Sequence, residues 1–248
     1  MTPYYQEAGI TIYHGDCREI LPHVSADVVV TDPPYGTGGW RRPESGGGSN
    51  PRADLVREEW DDGALDWLAE IPTLTFWPPA RTLQLLARAE SVGLTKHRAI
   101  YWHKPDPKPQ VGGRVAWSVE PIWVLSPEGF LLRGGTDWFD KSSIRFHRDF
   151  EAVGHPYQKP EPVMRWIIAK TEGAILDPFL GSGSTLIAAA ILGRRAIGVE
   201  IEERYCEIAV KRLRQEVLPF EPPAPKAEQM ELESTTPETP AEAGGGTT

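Results

Sequence analysis

At 248 residues, with 40% hydrophobic and 25% charged residues, the chain has the composition of a soluble globular protein long enough for one α/β domain with a full core. No stretch approaches the roughly 20 apolar residues of a membrane helix, the opening MTPYYQEAGITIYHGD carries no secretory pattern, and Cys17 and Cys206 are too few for a disulfide framework or a cysteine zinc site, so the expectation is a cytoplasmic, metal-free protein with reduced thiols. The net charge of −9 argues at first against a nucleic-acid partner, but six Glu and one Lys between Pro219 and Thr248 put −5 of it in the tail, leaving −4 on the other 218 residues and room for a local basic face.

In chain order, apolar runs of strand length are ITIYH, DVVVTD, LTFWP, AIYWH, PIWVLS, AILDP and AIGVE. Helical patterns ARTLQLLARAESVG, PEPVMRWIIAKT and STLIAAAILG lie between several of them. This alternation predicts an α/β fold with a doubly wound, mostly parallel, seven-stranded-type sheet. Residues 36–54, GTGGWRRPESGGGSNPRAD, follow an apolar strand and are too rich in glycine to hold one shape; they are expected to form a mobile loop of functional importance. Residues 219–248 are rich in Pro, Glu, Thr and Gly with almost no bulky apolar side chains, and are expected to be a disordered acidic tail behind a domain spanning 1–218.

Directly after DVVVT stands Asp32-Pro33-Pro34-Tyr35, where an α/β sheet opens its carboxyl-end crevice. Two prolines fix φ and remove two backbone donors, so this stiff turn offers a carboxylate, bare carbonyls and an aromatic ring. Such a set suits an exocyclic amine of a nucleobase. Asp32 and the Pro33 carbonyl can accept its two N–H groups, and Tyr35 can stack on a base that has left the duplex.

A second motif, AILDPFLGSGSTL from Ala174 to Leu186, reads as strand, glycine-rich turn and helix, with Glu200 ending the next strand. Asp177 and Glu200 are separated by close to the roughly 20-residue interval at which an acid meets a ribose hydroxyl in nucleoside-binding folds. The turn has no Lys for a phosphate-cradling loop, and Leu186 stands where a dinucleotide fingerprint wants Gly or Ala. What remains is a nucleoside without phosphates, with Glu200 on its ribose, or a turn that only caps the following helix. Two weaker motifs complete the set: His14-Gly15-Asp16-Cys17, which by itself reads first as a helix cap, and His155-Pro-Tyr-Gln-Lys159-Pro160, which alone is a helix-entry turn.

GDC, DPPYG, HPYQKP and DPFLGSGST in this order resemble the amino-methyltransferases of DNA in their permuted, beta arrangement, over residues 10–217. The resemblance implies a Rossmann-like methyltransferase fold and S-adenosylmethionine as cofactor. It implies that Asp32, Pro33, Pro34 and Tyr35 form the catalytic turn and that Asp177, Phe179, Gly181, Ser182, Gly183 and Glu200 surround the cofactor. Asp16 and Cys17 would flank its adenine, and His155 and Lys159 its methionine end. Asp rather than Ser at the head of the tetrapeptide favours the N6 amine of adenine over N4 of cytosine, the competing product. A non-catalytic nucleic-acid-binding protein that kept the fold is the competing reading outside the enzymes.

Duplex DNA is the expected partner. Its contacts are expected from Trp40, Arg41, Arg42 and Arg52 in the glycine-rich loop and from Lys108, Arg114, Lys141, Arg145 and Arg148 in a small target-recognition region over 104–150, where aromatic residues interleave with basic ones. That region is short, which leaves open a homodimer, a very short target, or loose modification by a phage enzyme; a cognate restriction endonuclease is a further candidate partner.

Overall fold

The computed structural model describes residues 1–33, 71–77, 82–104, 118–127, 132–134, 137–140 and 158–216. Val28–Thr31 (β3) is buried at every position, as expected of a β-branched strand covered on both faces in the middle of a sheet. Around it lie Tyr5–Glu7 (β1), Ile10–His14 (β2), Thr73–Phe76 (β4), Lys96–His103 (β5), Val119–Ser126 (β6), Trp138–Asp140 (β7), Ile175–Asp177 (β8) and Ala196–Glu200 (β9). Their spatial order is β1-β2-β9-β8-β3-β4-β6-β5-β7. From β2 through β4 the ladders are parallel; β1 on β2, β6 on β4 and β5 on β6 are antiparallel, and β7 runs parallel to β5.

All seven strands expected from sequence are present, and two more extend them, so among the described residues the sheet is nine-stranded and mixed. The additions, β1 and β7, are three residues each and sit at the two edges, too short to show the alternation by which a strand is read. The stretch 104–150, expected to hold the target-recognition region, includes two strands of the sheet. Val119–Ser126 within it is an interior strand whose Pro121, Ile122, Val124 and Leu125 are buried, and Trp138–Asp140 is an edge strand.

Among the described residues the helices are Cys17–Ile20 (α1), Thr82–Ser91 (α2), Glu161–Ile168 (α3), Ser184–Ile191 (α4) and Glu203–Glu216 (α5), with a 3-10 turn at Leu21–His23. α3, α4 and α5 cover one face: Val163, Met164, Ile167, Leu186, Ile187, Ala209 and Leu213 pack with Ile12, Val28, Val30, Phe76 and Ile122. On the other face Leu85 and Ala89 of α2 cover Val29, Leu125 and Leu176. The alternation of Val28 and Val30 against Val29 is the period of two that assigns one strand's side chains to two cores.

From β8 the chain passes through α4 to β9 on one side, whereas β3 is neighboured by β4 on the other, so the order of connection reverses between β8 and β3. Ligands of doubly wound sheets bind in the crevice at such a switch point, outside the carboxyl ends of the strands. Asp177 ends β8 and Asp32 follows β3 at that place.

Candidate active site

The two sides of the crevice are tied by a buried hydrogen bond in which the Thr31 hydroxyl donates to Oδ1 of Asp177 at 2.8 Å. Asp177 also accepts from the Thr185 hydroxyl at 2.5 Å and from the Phe179 amide at 3.1 Å. Burial pushes its carboxyl up to about 6, although these three donors pull the other way. Asp177 thus bonds to the turn and to β3, and acts on the crevice by shaping them.

The turn after β8 depends on glycine for its backbone conformation and for its packing on α5. Gly181 and Gly183 take the left-handed φ values +53° and +86°, where a side chain is strained. A Cβ on Gly183 would also lie 2.8 Å from the Ala209 Cβ. The Gly181 amide donates to Oε2 of Glu200 at 2.8 Å, and the Glu202 amide donates to Oε1 at 2.9 Å. Glu200 is therefore seated at the end of β9 facing the turn, and burial raises its pKa against those donors. Ser182 is held from behind: Arg212 of α5, itself buried, donates to its carbonyl at 2.8 Å and lies 3.3 Å from its hydroxyl.

On the next strand outward Asp16 caps α1, accepting from the Arg18 amide at 2.9 Å, and its carboxylate pairs with the Arg18 guanidinium. Those hydrogen bonds hold its pKa below the usual carboxylate range. The helix-cap reading of this motif therefore describes Asp16, and Cys17 is the first residue of α1. Burial pushes the Cys17 thiol up to about 11 and that of Cys206 up to about 12, so both are protonated thiols rather than nucleophiles.

On the other side of the switch point Lys159, placed by resemblance at the methionine end of a cofactor, donates to Oδ2 of Asp32 at 2.5 Å. Its ammonium also lies 3.4 Å from Glu120 Oε1 and 4.6 Å from the centre of the Phe76 ring. Glu120 pairs in turn with Lys104. Burial works against both charges, but the pairing outweighs it: the two carboxylates hold the Lys159 pKa above its ordinary value, and the two lysines hold Glu120 below.

The structure thus brings Asp32, Lys159, Asp177, Phe179, Gly181, Ser182, Gly183 and Glu200 to one edge, with Pro33 buried behind Asp32. Pro34, Tyr35, His155 and the expected DNA contacts Trp40, Arg41, Arg42, Arg52, Lys108, Arg114, Lys141, Arg145 and Arg148 lie outside the described residues, as do loop 36–54 and tail 219–248. Sequence reasoning missed Glu120, Phe76, Thr31, Thr185 and Arg212, because each acts through a partner distant along the chain or on another element. Among the described residues no helix is long and apolar enough to cross a membrane.

A family model for DNA methylases of the N6 and N4 type matches residues 26–211. The type II methyltransferase M2.LlaDCHI of Lactococcus lactis subsp. cremoris is 29% identical over 85% of this chain and 91% of its own length. Among solved structures, an M1.HpyAVI complex with S-adenosylmethionine aligns with TM-score 0.58 at 24% identity, over 82% of this chain and all of that one. The cytosine-N4-specific PvuII DNA methyltransferase aligns with TM-score 0.63 at 18% identity, over 85% and 88%.

Proposed function

The chain belongs to the DNA methylase family, and from that premise we propose that it transfers a methyl group from S-adenosylmethionine to the N6 amine of adenine in duplex DNA. The observation that carries the reading is the Thr31–Asp177 bond. It joins the strand end bearing Asp32 to the turn bearing the glycines, at the place where a doubly wound sheet binds its ligands.

The residues fit the cofactor. The left-handed turn brings the Gly181 amide to the carboxylate of Glu200, the turn contains no cation for a phosphate, and that carboxylate stands to accept from ribose hydroxyls. Bound S-adenosylmethionine supplies a methyl group on a positively charged sulfur. Asp32 accepts an N–H of the target amine, turns its nitrogen toward the crevice, and stabilises the positive charge that grows there during displacement. The Pro33 carbonyl accepts the second N–H and Tyr35 stacks on the flipped base. No base is needed before transfer, because the methylated amine is acidic enough to lose its proton afterwards. Much of the acceleration comes from holding the two reactants in line.

Adenine is favoured by Asp at position 32, where a Ser marks more of the cytosine-N4 enzymes. The basic loop and recognition residues are proposed to hold DNA phosphates, giving salt-dependent binding. The type II name of the lactococcal relative favours a restriction-modification setting in the cytoplasm with a cognate endonuclease.

The test is transfer from labelled S-adenosylmethionine to unmethylated duplex DNA, followed by digestion and separation of nucleosides. Label in N6-methyladenine is expected. Label in N4-methylcytosine would move the target base and keep the mechanism, while cofactor binding with no labelled DNA would overturn the DNA-methylating reading in favour of RNA modification or a binding role.

A further inference from the structure

Glu120 and Lys104 have no part in the chemistry above, yet they belong to a row of alternating charge along the carboxyl edge of the sheet. The row follows the strand order. Asp32 stands after β3, Lys159 lies over Phe76 of the neighbouring β4, Glu120 is on β6, and Lys104 follows β5 with its ammonium 5.1 Å from the centre of the Trp102 ring. Lys159 reaches the row from a different direction, through the segment that enters α3.

A lysine has a flexible four-carbon stem and a compact charge, so a pair with Asp32 alone would let the ammonium swing around the carboxylate. Among the described residues it has three such neighbours: Asp32 Oδ2 at 2.5 Å, Glu120 Oε1 at 3.4 Å and the Phe76 ring at 4.6 Å. Two anions on either side and an aromatic face leave one position that satisfies all three. The Lys159 side chain is 15% exposed and that of Glu120 16%, so water does little to screen or replace these contacts. Lys104 steadies Glu120 from its far side.

We propose that Glu120 is a positioning residue for Asp32, acting through Lys159: it fixes the ammonium, and the ammonium fixes the carboxylate that receives the target amine. The inference rests on the proposed role of Asp32. It assigns to an acid in the middle of the chain a part in the reaction that its place on a strand does not announce.

The test compares full-length wild type with Glu120→Gln, Lys159→Met and the double variant, reading kcat on duplex DNA, affinity for S-adenosylmethionine, and thermal midpoint. Glu120→Gln is expected to lower kcat roughly 10- to 100-fold, the scale of a small misplacement of a catalytic group, with cofactor affinity unchanged. The double variant is expected to be no slower than Lys159→Met, since Glu120 has nothing left to act through. Unchanged kcat in Glu120→Gln would overturn the proposal, as would multiplied losses in the double variant or a loss confined to cofactor affinity or thermal midpoint. Should Glu120→Gln not fold, Glu120→Asp keeps the charge one carbon further back; reduced kcat with unchanged cofactor affinity again supports the role, and unchanged kcat overturns it. A wild type that binds the cofactor but transfers no methyl group to DNA removes the functional reading and this inference together, whereas an active wild type matched by Glu120→Gln removes the inference alone.

Discussion

The two halves of the carboxyl edge are made differently. On the β9–β8 side the polar groups are held mostly by near neighbours: Glu200 by the amides of Gly181 and Glu202, and Asp177 by Phe179 and Thr185, with one long bond to Thr31. On the β3–β6 side, Asp32 is held by Lys159, 127 positions away, and Lys159 by Glu120. One half is a strand-turn-helix unit that carries its own geometry. The other is a set of charges assembled only when four strands and a helix entry have come together, so substitutions in the two halves should fail in different ways.

The largest effect is expected from Asp32→Ala. It removes the proposed acceptor of the target amine, and kcat should fall by roughly 100- to 1,000-fold, as when one transition-state hydrogen bond is deleted elsewhere, with cofactor affinity retained in a binding titration. Equal loss of both would make Asp32 a folding residue and erase the contrast between the halves.

Asp177 supplies a pH-dependent test. Its folded pKa of about 6 lies above the ordinary value of 3.8, so the folded state holds this proton more tightly than the unfolded chain. The associated stability is full below about pH 4 and is lost as pH rises through about 6, on the order of 2–3 kcal/mol. Asp177→Asn should flatten that part of the stability profile, as read from denaturant midpoints between pH 4 and 7; an unaltered slope would mean that another group titrates there.

Gly183→Ala should cost about 1–3 kcal/mol of stability and lower the thermal midpoint by several degrees, because its φ is +86° and the new Cβ would meet Ala209. A neutral substitution would show that α5 yields, and that the turn is less tightly built than the geometry indicates. The smallest effect is expected from Glu200→Gln. It keeps one acceptor oxygen and should weaken S-adenosylmethionine roughly tenfold, the scale of one hydrogen bond to a charged group, while leaving kcat at saturating cofactor unchanged.

The same contrast explains what could be read from the chain alone. The strand ending in Asp177, its glycine turn and Glu200 lie within 175–200, so spacing along the sequence is close to spacing in the fold. The seven strands expected from sequence announced themselves as apolar runs. Glu120 did not, because an acid beside the apolar run PIWVLS reads as the solvated end of a strand until Lys159 arrives from another part of the chain. Lys159 sat in a recognisable motif, but its pairing with Asp32, 127 positions away, is made by the fold and not by the motif. α5 hides its apolar stripe of Tyr205, Cys206, Ala209 and Leu213 among charges, one of which, Arg212, is buried against Ser182. The edge strands β1 and β7 are too short to carry a pattern.

The most direct test measures kcat and the S-adenosylmethionine dissociation constant side by side for Asp32→Ala and Glu200→Gln, on duplex DNA. A crossed result is predicted: turnover lost with affinity kept in the first, and affinity weakened with saturated turnover kept in the second. If both quantities fell together in both variants, the division of this edge into a catalytic half and a cofactor half would be contradicted.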